Sequence, residues 1–435
     1  MKATLFVLFQ AILPAPFSYG QFFIWEELPN MPEPVSNNAV VEGFRGDTAC
    51  LFSFTGIGSG LSPADIHLNS WVYNSILGAW SVLPAVPDSQ GKIAAGASYV
   101  NGVIYLMGGY AVNSNFSEVT SPKVHRFDVS AHTWLTDGLP MPVPVDDHVQ
   151  VTWRDSLIIC ISGWSNTTNV STVQIYNPSL NNWEEGTPVP SNNSFRAFGA
   201  SGCIVGDTIY YYGGTQINFG GFAANARVRK GIISPENPSQ IEWSLLTDAP
   251  FGPIYRAAAT AWGDRAIWIG GSGVAYNFDG LAYSNGAGVE PLESIRSFHT
   301  TDAEWTSAAA PQAPMDLRGI AKWGSDTWAI AGGMTAGQTV SAAAYRIRIA
   351  PLSAASEDNP VFKLHQWSDR VEVGFPIARS YHANLYNLSG QALDSHEGFD
   401  ALVGFSLDKH PSGIYLIHVN REGETPTRIK IAHTR

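Results

Sequence analysis

Residues 91–134 read GKIAAGASYVNGVIYLMGGYAVNSNFSEVTSPKVHRFDVSAHTW. An apolar run leads to the dipeptide Asn101-Gly102, and a second apolar run ends in Gly108-Gly109. A long polar loop follows, then Phe127-Asp128, then Trp134 seven residues beyond the phenylalanine. Asn and Gly tolerate positive φ, so a tight turn between two short apolar runs makes a hairpin. A continuous run such as IYLMGG suits a strand buried on both faces. Paired glycines at a strand end let neighbouring groups approach closely. The aromatic and the Trp are large wedges for packing one sheet against the next.

Working outward, nearly every part of that stretch recurs. A Trp followed by proline-containing turns appears at Trp25, Trp80, Trp134, Trp183, Trp243 and Trp305, at intervals of 55, 54, 49, 60 and 62 residues. The double glycine returns as Gly213-Gly214, Gly270-Gly271 and Gly332-Gly333, with Ser162-Gly163 and Thr55-Gly56 in its place elsewhere. Tyr73, Tyr176 and Phe298 also stand seven residues before a Trp. The tight turn recurs at Gly46-Asp47, Arg154-Asp155, Gly206-Asp207, Gly263-Asp264 and Gly324-Ser325. Four strands per unit at a period near 55 describe the blades of a β-propeller, and six copies predict six blades. The sixth unit ends after its third strand, around Tyr345, with no Trp strand to follow. At the other end, residues 22–28 read FFIWEEL and carry Trp25 with no strands before it. The N-terminal strand is therefore expected to close blade six as its outermost strand and remove the open edge.

Composition agrees with an all-β chain. The 435 residues include 42 Gly, 27 Pro and 14 Trp, and only 14% are charged. Twenty-five basic against 37 acidic residues give a formal charge of −12, which repels phosphate backbones and argues against a nucleic-acid partner. Residues 1–20 have the pattern of a secretory leader: Lys2, an apolar stretch to Phe17, then Ser18-Tyr19-Gly20 before a cut ahead of Gln21. A buried N-terminal strand is the competing reading. No later stretch is long and apolar enough to span a bilayer. Cys50, Cys160 and Cys203 each lie in an apolar run and are expected as buried hydrophobes, not a disulfide framework.

Across 22–350 the double glycine, the aromatic often followed by Asp or Asn, and the distant Trp resemble the kelch repeat. The match is weaker in unit four, which lacks the aromatic, and in unit one, whose double glycine has eroded. Residues 350–360 read APLSAASEDNP, so a linker (351–360) is expected between the propeller (21–350) and a C-terminal domain (361–435). There, strand-like segments separated by turns, including a glycine/acidic turn after YHANLYNLSGQAL, suggest a small β-sandwich. Leu385-Tyr386-Asn387 with Gly390-Gln391, Pro411-Ser412-Gly413-Ile414-Tyr415 and the strand around Lys430 resemble the sorting domain of cargo of the Bacteroidetes type IX secretion system. That family's Pro-Asn-Pro opening is absent; Asp358-Asn359-Pro360 stands in its place. The resemblance implies a secreted or surface-held protein with the type IX machinery as a partner. An accessory β-module with no export role is the alternative.

In such blades the tight turns share one face and the long loops the other, so the loop face is the expected ligand face. Loops 58–66, 110–123, 215–226 and 272–293, with Trp164, carry Tyr110, Phe116, Phe219, Phe222, Tyr276, Phe278 and Tyr283, suited either to sugar stacking or to loop packing. Counting fourteen residues back from the paired small residues reaches His148, Arg256 and Arg318, with Lys92 and Arg196 close to the equivalent point and Asn37 and Asn38 in unit one. A basic ring at the channel mouth, binding a carboxylated ligand, is one reading; basic residues holding loop carbonyls are the other. Asp146, Asp147 and Glu42 are candidate acid/base groups.

Two functions stand against each other. One is a non-catalytic propeller that binds a glycan or a protein on its loop face. The other is an enzyme resembling the six-bladed sialic acid mutarotases, which act on a carboxylated sugar. Copper chemistry like that of galactose oxidase needs several His and Tyr ligands and a Tyr-Cys link. Only His148 lies near the mouth and no Cys lies in a mouth loop, so neither metal nor cofactor is expected.

Overall fold

A computed structural model describes residues 23–218, 221–349, 363–366, 370–387, 391–411, 413–423 and 427–433. The expected leader (1–20), the linker (351–360) and Phe219 lie outside these residues. The chain divides into two compact units between Ile349 and Ala350.

The first unit is a ring of six antiparallel blades. In blade two the strands run outward from the axis as Ile93–Val100, Val103–Val112, Val124–Asp128 and Thr133–Trp134. The inner strands of successive blades pack on one another around the axis. The apolar runs are buried on both faces because each blade is sandwiched between two others. Phe52 and Phe54 of blade one, for example, share a core with Ile104, Leu106 and Phe127 of blade two.

The seven-residue spacing has a simple origin. Tyr73 lies directly across from Trp80, Phe127 from Trp134, Tyr176 from Trp183 and Phe298 from Trp305 on neighbouring strands. Their rings touch at centroid distances of 4.9–5.5 Å. In blade four, Gly231 takes the aromatic's place opposite Trp243, whose indole packs over the bare backbone. Four of these indoles also latch onto the preceding blade. Trp80, Trp134, Trp183 and Trp243 donate N–H bonds of 2.7–2.9 Å to the carbonyls of Pro29, Pro84, Leu139 and Thr187.

The paired small residues form a second latch. All six pairs adopt positive φ, including the eroded Thr55-Gly56 and Ser162-Gly163. The second residue of each pair donates its N–H to a carbonyl of the next blade's incoming chain: Lys92, Val145, Ala197, Ile254, Pro314 and Val35, at 2.8–3.2 Å. A side chain at Gly108 would strike the Val145 carbonyl that Gly109 binds, so the pair is a consequence of blade-to-blade contact.

Blade six closes as expected. Phe23–Leu28 pairs with Ala344–Ile349, from Phe23 opposite Ile349 to Leu28 opposite Ala344. Glu26 binds both Arg346 and Arg348 across this junction. Arg318–Gly319 also pairs in parallel with Ala39–Val40 of blade one. All three cysteines are free and buried, and burial pushes the Cys203 thiol up to about 12.

The second unit is one hydrogen-bonded sheet of five strands. Val371 and Val373 from one half of strand Arg370–Asn387, and Ala383 and Leu385 from the other, enter one core with Val403, Phe405, Ile417 and Ile429. The strand shifts register between Gly374 and Arg379, and the sheet folds on itself as a small sandwich. The glycine/acidic turn expected near 394–400 does not form; those residues continue strand Ala392–Ser406. Gly398 sits opposite Tyr381, whose ring covers it, and Glu397 and Asp400 are exposed. The hairpin turns instead at Asn387 and Gln391, where the Asn387 side chain accepts the Gln391 N–H at 2.9 Å.

Candidate functional site

At the start of each inner strand, or one or two residues before it, one residue per blade takes a left-handed conformation: Asn37, Ala94, Asp147, Gly199, Arg256 and Asp316. These residues are tied neighbour to neighbour around the axis. Asp147 N–H donates to the Ala94 carbonyl, Gly199 to Asp147 and Arg256 to Gly199, at 2.8–3.1 Å. The belt closes through Leu317 N–H to the Arg256 carbonyl, Asn37 N–H to that of Asp316, and Ala94 N–H to the Asn37 Oδ1, at 3.0, 3.2 and 2.8 Å. Non-glycine residues at positive φ carry strain. Here the belt holds five of them in place.

Three charged side chains of the belt meet at the axis. Arg256 grips Asp147 with two nitrogens, at 3.0 and 2.5 Å, and reaches Asp316 at 3.1 Å. Tyr255 and Tyr276 flank the guanidinium, their ring centres 5.2 and 5.4 Å away. Arg318 crosses from blade six to Asp147 at 3.3 Å and to the His148 carbonyl at 3.0 Å. Arg256, Asp147 and Asp316 are at most 2% exposed. Burial alone would raise the Asp147 carboxyl, but Arg256 and Arg318 hold it below its ordinary value. Asp316 goes the other way: burial raises it, and Arg256 only partly offsets that.

Above this bridge, on the loop face, opens a cleft of about 400 Å³ lined by Tyr110, Glu118, Asp146, Asp147, Trp164, Phe198, Phe222, Asn277 and Tyr283. Trp164, Phe198, Phe222 and Tyr283 touch edge to face at 4.9–6.3 Å and form one aromatic wall. Asp146 is pinned beside the indole because its N–H and carbonyl both pair with Trp164 at 2.9 Å. Its Oδ2 accepts the Thr120 hydroxyl at 2.7 Å. Burial first, and the neighbouring Asp147 charge second, push the Asp146 carboxyl well above the carboxylate range. The two adjacent carboxyls are thus pushed in opposite directions, Asp146 up and Asp147 down. On the other side of the bridge lies a channel chamber walled by small residues such as Gly96, Ala200 and Ser201, with His148, Gln150 and Arg318.

Known proteins agree with this architecture. No family model matches the chain. Kelch-like protein terF of Aspergillus terreus is 26% identical over 245 residues, 54% of this chain and 49% of that protein. Human Kelch-like protein 23 is 23% identical over 46% of this chain and 33% of its own length. The human Rab9 effector protein with kelch motifs is 26% identical over 32% of this chain and 38% of its own length. The chain thus spans half or less of the curated relatives it matches. The solved structure of YjhT superposes with a TM-score of 0.56 at 16% identity, covering 72% of this chain and 95% of that one. The fold is a six-bladed kelch propeller.

Within the kelch propeller the five proposed basic residues do not form a ring. Lys92 is 2% exposed and turns into blade two, where it binds Asp88 at 2.7 Å and approaches His125 at 3.1 Å. His148 Nε2 donates to Gln150 Oε1 at 3.0 Å, and burial pushes its imidazole down to about 4, so it is neutral near pH 7. Arg196 binds the Asn193 side chain and does not line the cleft. Arg256 and Arg318 meet at Asp147, and Arg318 shares the channel chamber with His148; both guanidinia contact carboxylates or a carbonyl. The cause is a register error: the count of fourteen holds for Ala94, Gly199 and Arg256. Blades three and six carry one and two additional residues, so Asp147 and Asp316, not His148 and Arg318, are the equivalents. Of the acid/base candidates, Asp146 and Asp147 reach the cleft; Glu42 instead accepts the Lys322 N–H at 3.0 Å. Of the loop aromatics, Tyr110, Trp164, Phe222 and Tyr283 line the cleft, Tyr276 and Phe278 are buried, and Phe116 is exposed. Sequence reasoning missed Asp316, Glu118 and Phe198. The positive φ shared by Asp316 and Asp147 is the signal that links them, and it is not visible in residue types.

Proposed function

We propose that the kelch propeller binds a glycan in the loop-face cleft. The observation that carries this is the aromatic wall that lines the cleft together with Asp146, Glu118 and Asn277: apolar ring surface for the sugar's C–H groups, beside polar groups for its hydroxyls. A concave cleft suits a sugar unit better than a flat protein surface. Arg256 and Arg318 do not line the cleft and are paired with Asp147 and Asp316, which removes the reason to favour a carboxylated sugar. The full-length protein on a glycan array should bind a discrete set of sugars. Trp164→Ala should weaken that binding roughly tenfold, equivalent to about 1.4 kcal/mol. A blank array, or an unaffected variant, would overturn the proposal.

A second reading rests on the adjacent Asp146 and Asp147, which line one cleft with carboxyls shifted in opposite directions, Asp146 up and Asp147 down. Such a pair can give a proton to a ring oxygen and take one from an anomeric hydroxyl, as a mutarotase requires. Proton NMR of anomer exchange for any sugar that binds separates binder from enzyme.

The resemblances at both ends of the chain support an exported protein held at or released from the outer surface. In the C-terminal unit, Tyr415 anchors the Pro411 carbonyl with its hydroxyl at 2.5 Å, within the segment that resembles a sorting domain. Removing 361–435 in a bacterium with type IX secretion should leave the propeller in the periplasm. Undiminished surface delivery would refute the export role.

A further inference from the structure

The charges around the cleft bear on which glycan it selects. Three carboxyl residues line it and no Lys or Arg does. Asp146 is 3% exposed, and among the described residues its Oδ1 has no hydrogen-bond donor. Glu118 makes no hydrogen bond or ion pair through its side chain among them. Arg256 cannot serve either acid, because its three guanidinium nitrogens are committed to Asp147 and Asp316. The aromatic wall adds to the same sign: the faces of Trp, Tyr and Phe rings are electron-rich and attract cations, most strongly where water is excluded. The Arg256 charge reaches both acids only without contact, so a desolvated acid beside aromatic rings, with an open Oδ1, is a site that an added positive charge would stabilise.

We infer that the cleft selects a glycan bearing a free amino group, its ammonium seated between the Asp146 carboxyl and the rings of Trp164, Phe222 and Tyr283. The inference rests on the glycan reading and names its ligand class. The raised Asp146 carboxyl fits it, since an incoming ammonium would supply the counter-charge that burial and Asp147 deny. An N-acetylated sugar brings no charge. A carboxylated sugar brings a further acidic group to a cleft already lined by Glu118, Asp146 and Asp147. The ligand's charge is thus opposite to the one that a basic channel mouth would select.

The test is calorimetry on the full-length protein with matched oligosaccharides: glucosamine tetramer, N-acetylglucosamine tetramer and a sialylated tetrasaccharide. The free-amine tetramer should bind at least tenfold more tightly than the other two. Asp146→Asn, which keeps an acceptor for Thr120, should bring amine and acetylated forms to within about twofold of each other. Equal or tighter binding of the acetylated or sialylated sugar overturns this inference and leaves the glycan reading standing. So does a tenfold amine preference that survives in Asp146→Asn. Failure to bind any glycan, with or without capture of a lysine-rich peptide, overturns both. If Asp146→Asn does not fold, the wild-type comparison decides alone.

Discussion

Replacing Asp147 with alanine should destabilise the propeller by about 3–5 kcal/mol, the cost of leaving a buried ionic partner unpaired. At roughly 2–4 °C per kcal/mol, the melting temperature should fall by on the order of 10 °C. Asp147 takes two bonds from Arg256 and one contact from Arg318, so its loss strands two guanidinia at the axis. The residue is 2% exposed, and water cannot take the carboxylate's place without opening the belt. The pH dependence is fixed by sign. The folded Asp147 carboxyl lies below its ordinary 3.8, so its contribution is complete above that value and is lost as pH falls through the lower, folded value. The gap between wild type and Asp147→Ala should therefore be constant near neutrality and shrink only below about pH 3.8. Thermal melts across that range check both parts. A change under about 1 kcal/mol would mean that the two arginines find other partners.

Deleting residues 23–28 should have an effect of similar size by a different route. Phe23 and Trp25 pack against the core between blades five and six, and Leu28 against that between blades six and one. Losing three half-buried apolar side chains and a complete strand pairing costs on the order of 5 kcal/mol. The edge of Ala344–Ile349 would then stand open for another chain. The expected result is a melting temperature lower by about 10 °C or more, together with oligomers in size-exclusion chromatography. A monomer with an unchanged melt would show that blade six does not need its fourth strand. Glu26→Ala should do much less, because the arginines it binds are 40% and 45% exposed and water screens the pairs.

These two predictions come from parts of the molecule that were unequally legible. The blades could be read because each marker records a contact with an adjacent strand or blade. Phe127 and Trp134 face each other across one hairpin, and Gly108-Gly109 meets only the segment entering the next blade. The closure was legible for the same reason: a strand was missing at one end and spare at the other. The site joins residues that no local pattern connects. Asp147 and Arg256 are 109 positions apart, and Arg256 and Asp316 are 60 apart. Whether a basic residue at the mouth is free or paired depends on blades three, five and six converging, and one or two inserted residues moved the pairing off the count. Lys92 shows the same limit from another side. Its neighbour Ala94 holds the belt position, and the lysine turns outward to Asp88. In the C-terminal unit, Gly398 reads as a turn until Tyr381 is placed over it.

The closing strand also sets an order in time. Glu26 and its partner Arg346 are 320 residues apart, so the first strand of the ring to be synthesised is the last to find its place. Every other blade can form from one contiguous segment as it leaves the ribosome. Phe23–Leu28 must remain extended and unpaired until Ala344–Ile349 emerges. Ring completion is thereby delayed to the end of translation, and the entropy of joining the two ends falls on a single late step. A chain threaded through a membrane before that step would cross as an open arc of blades or as unfolded polypeptide, and only afterwards become a closed disc.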